Sequence, residues 1–209
     1  MQKNVKNSQV WYTVDGEQSK YRFTLNYKIL VLGEEGIGKT SLIRQYIEKK
    51  FTHDYKTTLG ADLKTKVLIL DDHPATGERS KCVLQIWDIA GKTRISSLKQ
   101  HYYKGGHGVF LVFDATSKDS LTNLQRWAND VDKYCPDAVK YLIGNKIDLI
   151  DDVVIAENEI DQMKEILGVK YCTKTSAKTG ENVDKAFETI PRLIFEKVAK
   201  KLVFERSSS

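Results

Sequence analysis

The apolar run YKILVL, Tyr27–Leu32, is followed at once by GEEGIGKT, Gly33–Thr40, and then by a helix-forming stretch. Strand, tight glycine turn and helix must therefore succeed one another without a spacer, which few folds allow. In the pattern G-x-x-x-x-G-K-[ST] each position has a physical task. The glycines let successive backbone N–H groups turn inward at a helix N-terminus, where unpaired amides and the helix dipole favour anions. Lys39 supplies a point charge to β- and γ-phosphates, and the Thr40 hydroxyl is a hard ligand for Mg²⁺. The motif predicts phosphate binding. It does not choose between ATP and GTP.

The rest of the chain alternates in the same way. Val67–Leu70, Val83–Trp87, Val109–Asp114, Val139–Gly144 and Val169–Thr173 are further short, β-rich apolar runs. Between most of them lie helix periods: Leu121, Leu124, Trp127 and Val131 recur at three- and four-residue steps with Ser117 placed to cap them, and Ile160, Met163 and Leu167 repeat the pattern. This predicts an α/β fold with a largely parallel sheet covered on both faces. Val67–Leu70 and Val83–Trp87, joined by DDHPATGERS, read as one antiparallel hairpin. Residues 1–26 form an N-terminal extension, either a hairpin around Asp15-Gly16 or a flexible tail. Residues 27–205 form the main domain and 206–209 a short tail. Pro191 lies inside the last helical stretch, 182–204. An interior proline removes a hydrogen bond and costs about 3 kcal/mol, so a kink or break is expected near Ile190.

Charge and cysteine usage narrow the function classes. The formal charge of +5 is mild, and its basic residues are interleaved with acids. With no recognition helix, aromatic stacking motif or arginine-rich arm, nucleic acid is not an expected partner. No run approaches the ~18 apolar residues needed to span a membrane. Cys82, Cys135 and Cys172 are far apart with no CxxC pair, which disfavours zinc and disulfides and fits a cytoplasmic location.

The base is read further along, in NKID, Asn145–Asp148, and TSAK, Thr175–Lys178, each directly after an expected strand. A carboxylate accepts two hydrogen bonds from the N1–H and N2–H₂ groups of guanine, and adenine offers no such pair. Asp148 fits that role. Asn145 would brace the loops, the Lys146 stem would cover the base, and the Ala177 N–H would read guanine O6. An ATPase or kinase is correspondingly disfavoured.

With these motifs in order, the sequence resembles the Ras superfamily of small GTPases, most closely its Rab branch, from Tyr27 to Phe204. YYKGGHG at Tyr102–Gly108, VFDATSKDSL at Val112–Leu121 and IWD ahead of AGK add Rab-like detail. The resemblance implies a three-layer P-loop NTPase G domain: a six-stranded, mostly parallel sheet with one antiparallel strand and about five helices. It implies GTP and GDP held by Glu35, Gly36, Ile37, Gly38, Lys39, Thr40, Ser41, Phe51, Tyr55, Thr58, Gly91, Asn145, Lys146, Asp148, Ser176, Ala177 and Lys178. Mg²⁺ would be held by Thr40, by Thr58 and, through water, by Asp88. Gly91, Lys92 and Thr58 fall at the positions around the γ-phosphate where hydrolysis is controlled. Protein effectors, a GAP and an exchange factor are the implied partners of a monomer.

Four features depart from the family. Lys92 replaces the glutamine that orients the attacking water, and an ammonium has donors but no acceptor. Glu35 replaces a small residue in the phosphate loop; the resemblance puts it on the same side of the γ-phosphate as Lys92, where it either pairs with that lysine or swings outward into solvent. Leu63 stands beside Trp87 and Tyr102 in the effector trio where phenylalanine is usual. The sequence ends FERSSS without a prenylation cysteine, so membrane recruitment is expected through partners rather than a direct lipid anchor. The reading is a Rab-like GTP/GDP switch with slow hydrolysis, in trafficking or signalling. Its rival is a GTP-binding, non-hydrolysing interaction subunit like those of intraflagellar transport.

Overall fold

The computed structural model describes residues 3–7, 10–14, 23–52, 58, 60–70, 79–91 and 96–207. Its strands are β1 (Lys3–Asn7), β2 (Val10–Val14), β3 (Phe23–Leu32), β4 (Ala61–Leu70), β5 (Ser80–Ile89), β6 (Gly108–Asp114), β7 (Val139–Asn145) and β8 (Tyr171–Lys174). The helices are α1 (Lys39–Glu48), α2 (Ser96–Tyr103), α3 (Lys118–Thr122), α4 (Leu124–Tyr134), α5 (Glu157–Leu167) and α6 (Val183–Ser207), with a short 3₁₀ turn at Ile150–Asp152.

All strands join one sheet. Six of them, in the order β4-β5-β3-β6-β7-β8, are the expected core, parallel except for β4, which runs antiparallel to β5. β3 is longer than the YKILVL run. Ile29–Leu32 pair with β6, while Phe23–Asn26 pair antiparallel with β2, which in turn pairs with β1. The N-terminal strands thus extend the sheet at the end of β3 remote from the glycine loop.

Alternation along each central strand explains the three layers. On β6, Phe110 and Val112 join one core with Leu42, Ile43 and Tyr46 of α1 and Phe187, Ile190 and Ile194 of α6. Val109, Leu111 and Phe113 join the other, with Leu124, Trp127 and Val131 of α4 and Ile160, Met163 and Leu167 of α5. Ser117 caps α3, accepting the Ser120 N–H at 3.3 Å. The single helix expected through Leu121, Leu124, Trp127 and Val131 is, however, divided at Asn123 into α3 and α4.

Two further details differ from the sequence reading. The last strand starts at Tyr171, because Val169 N–H is still bound to the Lys164 carbonyl in the turn that ends α5. The helix α6 runs through Pro191 without a break. Its apolar positions explain why. Phe187, Ile190, Leu193 and Ile194 are all buried on one face, and packing of that stripe outweighs the single hydrogen bond that proline removes.

Strand order reverses beside β3: its crossover through α1 leads toward β4 and β5, whereas the crossover through α2 leads to β6 on the other side. In doubly wound sheets, ligands bind in the crevice at the carboxyl ends of the strands flanking such a point. The loop Gly33–Gly38 occupies that crevice.

Candidate functional site

The loop is held open by its glycines and closed by Lys39. Gly38 caps α1 with φ 94°, and a Cβ there would fall 2.5 Å from Asn145 Nδ2, so both the backbone angle and the close approach demand glycine. The Lys39 ammonium turns back over the loop, donating to the carbonyls of Gly33 at 2.9 Å and Glu34 at 2.7 Å. Burial lowers its pKa to about 8, partly opposed by the charges of Asp88, Glu34 and Glu35. A buried cation whose hydrogen bonds, among the described residues, go to neutral carbonyls is well suited to meeting an anion.

Beside it three oxygen side chains from separate elements converge. Thr40 Oγ1, at the start of α1, bonds Asp88 Oδ2 near the end of β5 and lies 2.9 Å from Thr58 Oγ1. Thr58 Oγ1 is itself 3.5 Å from Asp88 Oδ2. Asp88 Oδ1 is buried and takes no hydrogen bond from the described residues. Burial raises the Asp88 pKa, while hydrogen bonding from Thr40 and the charge of Lys39 lower it. An orphaned carboxylate oxygen beside two hydroxyls is a donor set for a hard divalent cation, which prefers oxygen ligands.

Gly91 follows on the same side. A Cβ on it would lie 2.6 Å from the Glu34 carbonyl carbon, so the chain after β5 rests directly against the Glu34–Glu35 peptide. Lys92 and Tyr55 lie outside the described residues, and with them the proposed Glu35–Lys92 pair. Ile37 is buried, Ser41 is half-buried on α1, and Phe51 is half-buried just beyond it.

The NKID and TSAK segments are locked to each other and to the loop. Asn145 Nδ2 donates to the Ile37 carbonyl at 2.9 Å, and Asn145 Oδ1 accepts from Thr175 Oγ1 at 3.3 Å and Ala177 N–H at 3.1 Å. Asp148 Oδ1 accepts from Ser176 Oγ at 2.6 Å, and its other oxygen is 3.9 Å from the Lys178 ammonium. Lys146, with φ 69°, pairs at 2.6 Å with Asp114 at the end of β6.

Leu63 and Trp87 are direct cross-strand partners, and the Trp87 ring lies 6.4 Å from that of Tyr102. Leu63 is 46% exposed, giving this three-residue patch an aliphatic outer edge.

Sequence reasoning missed two contributions. Asp114 could have been found as a carboxylate ending a strand next to the crevice. The other is Glu34, an unspecified position of the motif, whose carboxylate is bound by Arg126 and Trp127 of α4. No local signal marks that pairing, because its members are 92 and 93 residues apart.

A glycine loop at the strand-order reversal, a buried lysine across it and two interlocked base-side loops define a phosphate-loop nucleotide-binding domain of the α/β class. Comparison with known sequences narrows this further. The sequence model for the Ras family matches residues 28–196. The chain is 37% identical over 174 residues to Ras-related protein Rab-1D of Dictyostelium discoideum, covering 83% of this chain and 81% of that one. It is 38% identical over 176 residues to Ras-related protein Rab-1 of Theileria annulata, covering 83% and 76%. Against GTP-binding protein ypt1 of Schizosaccharomyces pombe the identity is 34% over 173 residues, covering 82% and 81%. The chain belongs to the Ras family, as a Rab-like, GTP-binding small GTPase. None of the described helices is long and apolar enough to cross a membrane.

Proposed function

We propose that this protein is a GTP/GDP switch in vesicle trafficking or signalling that holds Mg²⁺ with its nucleotide and hydrolyses GTP slowly. The observation that supports it best is the convergence of Thr40, Thr58 and Asp88 beside Lys39, with one Asp88 oxygen left unsatisfied. These residues fit Mg²⁺, which when bound would neutralise charge shared between the β- and γ-phosphates. Thr40 and Thr58 would hold it directly and Asp88 through water.

The protein's own groups have separable tasks. Lys39 exchanges the carbonyls of Gly33 and Glu34 for phosphate oxygens. The Gly91 N–H would meet the γ-phosphate and Thr58 would close over it, so that loss of that phosphate releases both segments. Asp148 accepts from the guanine N1–H and N2–H₂ groups, the Ala177 N–H reads O6, and the Lys146 stem covers the ring. Partners would read the ordered state across Leu63, Trp87 and Tyr102. Hydrolysis is slow because Lys92, at the water-orienting position, offers no acceptor to the attacking water.

Release of a fluorescent GDP analogue tests the metal part of this reading. Chelating Mg²⁺ should accelerate release from the unmodified protein, and Asp88→Ala should remove most of that dependence. Release indifferent to chelation would contradict the assignment.

The replacement at Lys92 also favours a second reading, a subunit that keeps GTP as a structural ligand. Single-turnover hydrolysis with and without lysate as a source of GAP separates the two. Slow cleavage that GAP accelerates supports the switch. No cleavage under either condition supports the structural ligand.

A further inference from the structure

Glu34 belongs to the glycine loop, yet its side chain is engaged elsewhere. Its Oε1 accepts from the Arg126 guanidinium and, at 3.3 Å, from the Trp127 indole N–H, both on the first turn of α4. The Arg126 guanidinium also lies 5.4 Å from the Trp127 ring centroid. Trp127 is 3% exposed and packed in the core on that face of the sheet, so its indole is a fixed point. The main chain of Glu34 acts on the other side. Its carbonyl accepts from Lys39 at 2.7 Å, and its peptide with Glu35 is the surface against which Gly91 rests. One residue thus joins α4, through its side chain, to the lysine and the glycine that face the γ-phosphate position, through its peptide.

We propose that Arg126 and Trp127 are positioning residues of the nucleotide site that act through Glu34, a proposal that rests on reading the Gly33–Thr40 loop as the GTP site. The tether does two things. It fixes the Glu34–Glu35 peptide where Lys39 and Gly91 need it. It also turns the Glu34 carboxylate away from the phosphates and gives it a cationic partner. Without that partner, the carboxylate would be a mobile negative charge in a loop built to hold anions, and nucleotide would leave faster.

The test is the release rate of a fluorescent GDP analogue from the full chain, measured alongside its thermal midpoint. The Arg126 side chain is 59% exposed and that of Glu34 24%, so solvent screens the pair and the effect is modest. Arg126→Ala should speed release about two- to fivefold with little change in the midpoint. Arg126→Lys should restore part of the loss, having charge without the planar fork. Trp127→Phe, which deletes the N–H donor but also trims the packed indole to a single ring, should speed release in the same direction and lower the midpoint as well. The decisive arm is the cycle: in a Glu34→Ala background, Arg126→Ala should have no further effect.

An Arg126→Ala effect that persists without Glu34, or a release rate unchanged by both Arg126→Ala and Trp127→Phe in a chain that binds GDP normally, would overturn the tether alone. Failure of the unmodified chain to bind GDP at all would overturn the reading of the site beneath it.

Discussion

Asn145 and Ile37 are joined by a buried hydrogen bond, side-chain amide to main-chain carbonyl, at 2.9 Å. Through it the end of β7 supports the turn of the glycine loop, and the same side chain holds Thr175 and Ala177. Asn145→Ala would leave the Ile37 carbonyl and the Ala177 N–H buried and unpaired, at a cost of about 1–3 kcal/mol each. The expected outcome is a lower thermal midpoint together with faster GDP release. A variant with unchanged release would mean that the two loops are held independently.

Base choice should depend on Asp148. Asp148→Asn exchanges an acceptor oxygen for a donor, so the guanine N2–H₂ would face an N–H. Sites built on paired hydrogen bonds discriminate by about 10⁴ or more, because mismatched groups stay unpaired. Competition binding should show a sharp loss of GTP affinity and a gain in tolerance for xanthosine nucleotides. ATP competing as well as GTP on the unmodified chain would contradict the assignment.

Lys39 makes binding pH-dependent. Burial depresses its pKa from 10.5 to about 8 in the folded chain. Its charged form is therefore penalised by folding: no cost above pH 10.5, a growing cost as pH falls through that window, and the full cost below about 8. Phosphate favours the ammonium and raises the pKa again. Nucleotide affinity should be greatest below about pH 8 and decline above it, with proton uptake on binding in the alkaline range. Calorimetry in two buffers of different ionisation heat measures that uptake. Lys39→Arg, permanently charged, should abolish it.

The parts of this site that were legible in the sequence are those whose chemistry is written within a few neighbouring residues. GEEGIGKT, NKID and TSAK each sit directly after a strand, so finding the strand places the motif. The topology then brings Thr40 to Asp88 across 48 residues with no further information. Glu34 with Arg126 is different. It pairs a loop residue with a helix residue 92 positions away, and either charge alone reads as ordinary solvated surface. The first strands were ambiguous for a related reason. Phe23–Asn26 gain their place only by pairing with β2 and β5 at once, a tertiary fact that local pattern does not carry. At Pro191 local propensity favours a stop, and the buried stripe of α6, which no local rule registers, carries the helix past it without a break.

We propose that Lys92 slows hydrolysis while leaving GTP binding intact. An ammonium near the γ-phosphate attracts the triphosphate and partly offsets Glu35, but it cannot accept a hydrogen bond from the attacking water. Single-turnover hydrolysis of preloaded GTP by the purified chain measures this directly. The expected rate is at or below about 10⁻⁴ s⁻¹, the range of unassisted small GTPases. Lys92→Gln should be faster, and faster still when Glu35→Ser is added. An unmodified chain that turns over many times faster than this, or a Lys92→Gln variant that is slower, would make Lys92 a catalytic group and contradict the account.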